Sequence, residues 1–218
     1  MAILNYHDDT VNFEISTTEI SGVVGSNSLE KVFLELVTKR SFYFSSVSLG
    51  VISSHQAEPG STTLQDLIAR QFRHHKNVSS KRSSMAVAEI LRFLDAEDIA
   101  DTDISSLAEL QRAQAMLARA IALRPEVVLS WNYFSAMTAG VQSEMRTSAL
   151  RVHEDLGIGF IFFEKKLTAI KPIAQTCINF HPVKMHVERT TPMEMQLPRN
   201  KPVKSSPDEI SGLDFVSN

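Results

Sequence analysis

Cysteine is almost absent: Cys177 is the single one among 218 residues. No internal disulfide can form, nothing argues for an oxidising compartment, and a buried thiol is the expected role. Positive charge is not in excess either. The 22 Lys and Arg stand against 25 Asp and Glu, a formal net charge of -3, so neither nucleic acid nor an anionic membrane is expected as main partner. No stretch approaches the roughly 20 apolar residues that cross a bilayer. "MAILNYHDDTVNFEI" lacks a basic start followed by an apolar run. The expectation is a cytoplasmic protein with no direct membrane insertion. Internal repeats, low-complexity tracts and a G-x-S-x-G elbow are missing as well. His74 and His75 are adjacent and fall on different faces, with no further ligand at metal spacing, so no metal site is expected there.

What is present is a globular composition, 43% apolar and 22% charged. "VNFEISTTEISGVVG" alternates and then turns apolar, which predicts an edge strand followed by a buried strand ending at Gly25. "SLEKVFLELVTKR" places Leu29, Val32, Phe33, Leu36 and Val37 at helical spacing. One or two short strands are expected within 42–53, then a turn and the helix "TLQDLIARQF". "RHHKNVSSKRSS" reads as an exposed loop, and 84–100 and 105–125 read as helices. "EVVLSW" and "IGFIFFE" fit buried strands, with the helix "VQSEMRTSALRVHEDLG" between them ending at Gly157. Strands alternating with helices of this length predict an α/β domain with a mainly parallel sheet. Residues 197–218, rich in Pro, Ser and charge, are expected to form a flexible tail.

In this order the pieces resemble the nucleotide-binding subunit of an ATP-binding cassette (ABC) transporter, a P-loop NTPase-like domain, over about residues 13–195. The resemblance is carried by "DISSLAELQRAQAMLARAIALRPEVVL", similar to the family's signature loop, the helix after it and the Walker B strand. Gln111, Arg112, Ala118, Arg119, Ala120, Leu123, Arg124 and Pro125 match the residues the family carries there. The resemblance implies one ABC-like domain over 1–196, with a small helical subdomain at about 64–118.

The motifs that carry the chemistry are degenerate. A P-loop, G-x-x-x-x-G-K-[ST], wraps phosphates with backbone N–H groups, reaches them with Lys and holds Mg²⁺ through the hydroxyl. The matching stretch, "GSNSLEKV", keeps Gly25, Ser26, Asn27, Ser28 and Lys31, but Glu30 replaces a glycine and Val32 the hydroxyl. The signature position holds Leu107, Ala108, Glu109, Leu110 and Gln111, with an anionic side chain where the family places a phosphate. The Walker B acidic pair corresponds to Trp131 and Asn132, neither of which serves as metal ligand or general base. The loop after it, "SAMT", lacks its aspartate. Lys165 stands at the switch histidine, and Gln56 matches the Q-loop glutamine.

Losing several contributions to charge stabilisation and water activation together removes most of the acceleration. The expectation is therefore a pseudo-ATPase with no catalytic residues and no metal, in which ATP or ADP is at most loosely held. Its implied partners are a membrane-spanning transporter subunit, which keeps it peripheral to the inner (plasma) membrane, and an active ABC ATPase subunit. The short chain and "TAGVQSEM" are similar to capsular-polysaccharide and O-antigen exporters, whereas "HVERTTPMEM" is similar to a segment of importers. Two alternatives stay open: a regulator that holds nucleotide without turnover, and an active exporter ATPase with atypical motifs.

Overall fold

The computed structural model describes residues 3–8, 11–25, 28–39, 47–53, 62–73, 80–180 and 186–189. The apolar runs that mark strands in the sequence form the middle of a sheet. In β5 (Val127–Trp131) and β6 (Gly159–Glu164) every residue is buried, and in β3 (Ile20–Gly25) all but Gly25. Strands covered on both faces require this continuous apolar pattern. With β4 (Leu49–Ser53), β7 (Thr176–Phe180) and β8 (His186–Arg189) they form a six-stranded sheet in the order β4-β5-β6-β3-β7-β8. All neighbours are parallel except β8, which is antiparallel to β7.

Side chains alternate across this sheet and divide the interior in two. On one face Val23, Leu129, Trp131, Ile161 and Phe163 meet α1 (Ser28–Thr38) and a hairpin of β1 (Ile3–Asp8) and β2 (Val11–Ser16). Leu29, Val32, Phe33 and Leu36 of α1 are buried there, each fully buried aliphatic chain contributing about 1.5–3 kcal/mol. The hairpin is fixed to α1 by the Tyr6 hydroxyl, which donates to the Glu35 carboxylate at 2.9 Å. On the other face Val24, Val128, Phe160 and Phe162 meet α2 (Leu64–Arg73), α3 (Ser80–Phe93), α4 (Glu109–Ile121), α5 (Ala139–Leu156) and α6 (Leu167–Ile170).

Two glycines are needed where they stand. Gly157 ends α5 with φ +67°, the left-handed region that other residues enter at a cost. At Gly159 a Cβ would overlap the backbone carbonyl of Thr17, so β6 and the segment before β3 approach as closely as they do only because no side chain intervenes.

Several sequence expectations need correction. Among the described residues β2 lies outside the main sheet and pairs with β1 in a two-stranded sheet. The basic stretch taken as loop as far as Ser84 is helical from Ser80. The helix expected over 84–100 stops at Phe93, because the chain turns through Asp95 with φ +52° and resumes as a 3₁₀ turn at Glu97–Ile99. The helix expected over 105–125 is a 3₁₀ turn at Ile104–Ser106 followed by α4, and the chain leaves it through Arg124 at φ +47°. All described elements from Leu64 to Ile121 are helical. The stretches containing His74 and His75, and the tail from 197, lie outside the described residues.

Candidate functional site

The parallel strands end side by side. Register pairs Ser53 with Trp131, Trp131 with Phe163, and Val24 with Glu164. The region beyond the carboxyl ends of such strands is where open α/β sheets bind ligands, and the sheet thus gathers Gly25, Trp131, Asn132 and Lys165 at one edge. Ser26, Asn27 and Gln56 lie outside the described residues. Ser28 opens α1, which places Glu30 half-buried, Lys31 exposed and Val32 buried in the first turns of that helix.

At this edge the α1 face is apolar. The Trp131 ring is 4% exposed and stacks on Phe33 with centroids 5.9 Å apart, and Phe33 meets Phe163 edge-on at 5.6 Å. Val32 and Trp131 belong to one continuous hydrophobic cluster. Among the described residues no three His, Cys, Asp or Glu side chains stand close enough to hold a metal ion. A hydrated divalent cation requires oxygen ligands. The described side chains Val32 and Trp131 offer such a cation no oxygen ligand.

The opposite face of the same edge carries a carboxylate. Glu164, at the end of β6, continues the Phe160, Phe162 alternation and is fully buried. Its two oxygens accept the backbone N–H groups of Phe134 and Ser135 at 2.8 and 2.9 Å. Burial raises its pKa above the usual carboxylate value, opposed by the hydrogen bonds it accepts from the loop. Arg146 on α5 feels this charge. Its own pKa is lowered by burial and raised by Glu164, its guanidinium lies 5.9 Å from the Phe134 ring centre, and it donates to the Ala169 carbonyl at 2.8 Å. Sequence reasoning passed over Glu164 in favour of Lys165, which is exposed. The available signal was a charge placed at the end of a strand that is otherwise wholly apolar.

Asn132 begins the loop after β5 with φ +50°, a conformation that Asn tolerates better than most residues. Its N–H donates to the Phe163 carbonyl at 2.8 Å, and its Oδ1 is buried without a hydrogen-bond partner. Next to it Tyr133 is buried and donates to the Ala113 carbonyl at 2.8 Å, tying the loop to α4. Burial holds its phenol pKa well above the usual value.

The signature-like residues close the far side. Leu107 is buried and Leu110 half-buried. Ala108 is the N-cap of α4; it has no side-chain acceptor, donates its N–H to Gln111 Oε1 at 3.0 Å, and accepts the Arg112 N–H at its carbonyl at 2.8 Å. Glu109 is exposed at the start of α4. Its two oxygens accept the backbone N–H and the hydroxyl of Thr138 at 2.8 and 2.9 Å. Between α4 and the loop lies a cleft of about 530 Å³, lined among others by Leu67, Ile104, Glu109, Arg112, Asn132 and Met137.

No protein-family model matches the chain. Among curated proteins, the sulfate/thiosulfate import ATP-binding protein CysA of Thermosynechococcus vestitus is 30% identical over 115 residues, 53% of this chain and 34% of that protein. CysA 2 of Shewanella oneidensis is 27% identical over 176 residues, covering 71% and 49%. The methionine import ATP-binding protein MetN of Lactococcus lactis is 27% identical over 97 residues, 44% and 26%. The chain thus spans half or less of the length of these three relatives. A solved structure of cbiO1 from Clostridium perfringens, part of the ABC transporter complex cbiONQ, superimposes with TM-score 0.69 at 13% identity over 86% of both chains. An inward-facing ABC transporter described as of metal-chelate type gives 0.73 at 17%, over 85% of this chain and 80% of that one. Strand order, helix placement and these superpositions agree: the chain has the fold of an ABC transporter ATP-binding domain, and the curated proteins it resembles are ATP-binding proteins of importers.

Proposed function

We propose that this chain is an ABC-type subunit of a membrane transport complex that does not hydrolyse ATP and acts as a structural or regulatory half. One observation carries the reading: Val32 and Trp131, where a metal hydroxyl and a metal carboxylate belong, are packed with Phe33 and Phe163 into hydrophobic core. An accidental loss of ligands would leave a polar vacancy, whereas here the space is filled by aromatic packing that stabilises the fold. Residues 64–118 serve as its helical subdomain. Its partner is a membrane-spanning subunit; among the described residues no helix is long and apolar enough to cross a membrane itself. The names of the relatives favour an import complex over polysaccharide export.

The test is turnover by the purified chain with ATP and Mg²⁺. Background phosphate release, unchanged in Lys31→Ala, is expected. Turnover of about 1 s⁻¹, ordinary for enzymes, that disappears in Lys31→Ala would overturn the reading. Mass in solution tests the companion point. The chain is expected to stay monomeric with ATP and Mg²⁺ and to associate with a membrane subunit, and a tight nucleotide-driven homodimer would refute this.

A further inference from the structure

We propose that Glu109 and Glu164 form a two-point latch that fixes the loop 132–138 between α4 and β6 without nucleotide, so that the loop presents one constant surface. The loop is held at both ends by carboxylates of its own chain. Glu164 takes the N–H groups of Phe134 and Ser135, and Glu109 takes the N–H and hydroxyl of Thr138.

The placement of Glu109 is what makes the second point strong. It is the first residue of α4, and Thr138 is the N-cap of α5. One carboxylate therefore lies at two helix N-termini, each of which carries partial positive charge and unpaired N–H groups. A bound anion would be held at such ends in the same way; here the Glu109 carboxylate accepts the Thr138 N–H and hydroxyl. Thr138 gives up its own capping role, since its hydroxyl points to Glu109 rather than back to α5. Just ahead of the first point, Tyr133 pins the loop to the Ala113 carbonyl. Glu109 and Met137 both line the cleft beside the latch.

This extends the reading of a subunit without turnover, but it stands on the loop geometry and is tested separately. Amide hydrogen exchange of the full chain resolves the two points. Glu109→Ala is expected to speed exchange at Thr138 roughly tenfold while leaving Phe134 and Ser135 protected, because local opening is governed by the bonds that hold each amide. Thr138→Val, which keeps the backbone N–H bond and loses only the hydroxyl, is expected to give a smaller acceleration at the same site. Glu164→Gln should act at Phe134 and Ser135 and spare Thr138. In the wild-type chain, ATP with Mg²⁺ should leave exchange at all three amides unchanged. If Glu109→Ala leaves Thr138 exchange unaltered, or if ATP changes loop exchange more than about tenfold, the latch is wrong. ATP hydrolysis with unchanged loop exchange would instead sink the proposed function and leave the latch standing.

Discussion

Trp131 and Glu164 lie one strand apart at the same sheet edge, on opposite faces, and their surroundings are inverted relative to what the ABC resemblance implies. The α1 face, where the motif comparison places carboxylate and metal, is a stack of Trp131, Phe33 and Phe163. The other face has, at the end of the otherwise apolar strand β6, a buried carboxylate that organises a loop. What differs is which polar groups have partners. Glu164 is satisfied by two N–H groups and by the field of Arg146, while the apolar side offers none to a charge. A buried charge is tolerable only with such partners. Charge on the α1 face is thus excluded by packing, and a carboxyl group on the α5 face is held by the hydrogen bonds it accepts from the loop.

The sharpest way to break this comparison is to restore the acid. Trp131→Asp deletes a buried aromatic and places an unpaired carboxylate among Phe33, Phe163 and Val32. A loss of at least about 3–5 kcal/mol is expected from the deletion alone, with the stranded charge adding to it. Chemical denaturation beside Trp131→Ala measures the two parts. Equal stability of the two variants would mean that the α1 face accepts charge after all.

Removing the other member tests the opposite face. Glu164→Ala leaves the Phe134 and Ser135 N–H groups without acceptors in a buried site, and each unsatisfied donor costs about 1–3 kcal/mol. Urea unfolding should detect this, and a loss below about 0.5 kcal/mol would mean that water replaces the carboxylate. The destabilisation should also be local, since Glu164 holds a loop whereas Trp131 holds a sheet face.

The same carboxylate sets an unusual pH dependence. Its folded pKa is raised, with burial the largest cause, so the folded chain favours the protonated form. The stabilisation this brings is full below the unfolded value of 4.5 and is lost as pH rises through the raised folded value. Between those two values the stability of wild type relative to Glu164→Gln should grow as pH falls, the reverse of an ion-paired carboxylate. Thermal unfolding of both proteins from pH 7 to 5 gives the sign, and a difference that shrinks on acidification would show that the hydrogen bonds outweigh burial.

This difference between the faces also explains how far the sequence could be read. The strands "VVLSW" and "GFIFFE" were legible because burial on both sides leaves no alternative pattern, and the helix between them because Gly157 marks its end. The helices around 80–125 were misplaced at their ends, since Asp95 and Arg124 enter the left-handed region without the glycine that usually announces it. The motif losses at Val32 and Trp131 were legible as substitutions, but not that the two side chains share one cluster, which depends on the fold bringing α1 onto β5. The contacts of Glu109 and Glu164 were not legible for the same reason. Their partners, Thr138 and Phe134 with Ser135, are 29 to 30 residues away in sequence.

The smallest effect is expected from the change that restores the second Walker B acid alone, Asn132→Glu. The backbone at 132 has φ +50°, which Glu enters less readily than Asn, so a cost of about 1 kcal/mol is expected in stability. Phosphate release should remain at background. The residue next to it would still be Trp131, Val32 would still replace the hydroxyl, and Glu109 would still be bound to Thr138 at the start of α4. A general base without a bound metal and an oriented phosphate has nothing to activate toward attack. Measurable ATP hydrolysis from this substitution would place an intact phosphate site at the sheet edge and collapse the contrast between its two faces, whereas stability lowered by about 1 kcal/mol with unchanged background release is the outcome the geometry requires.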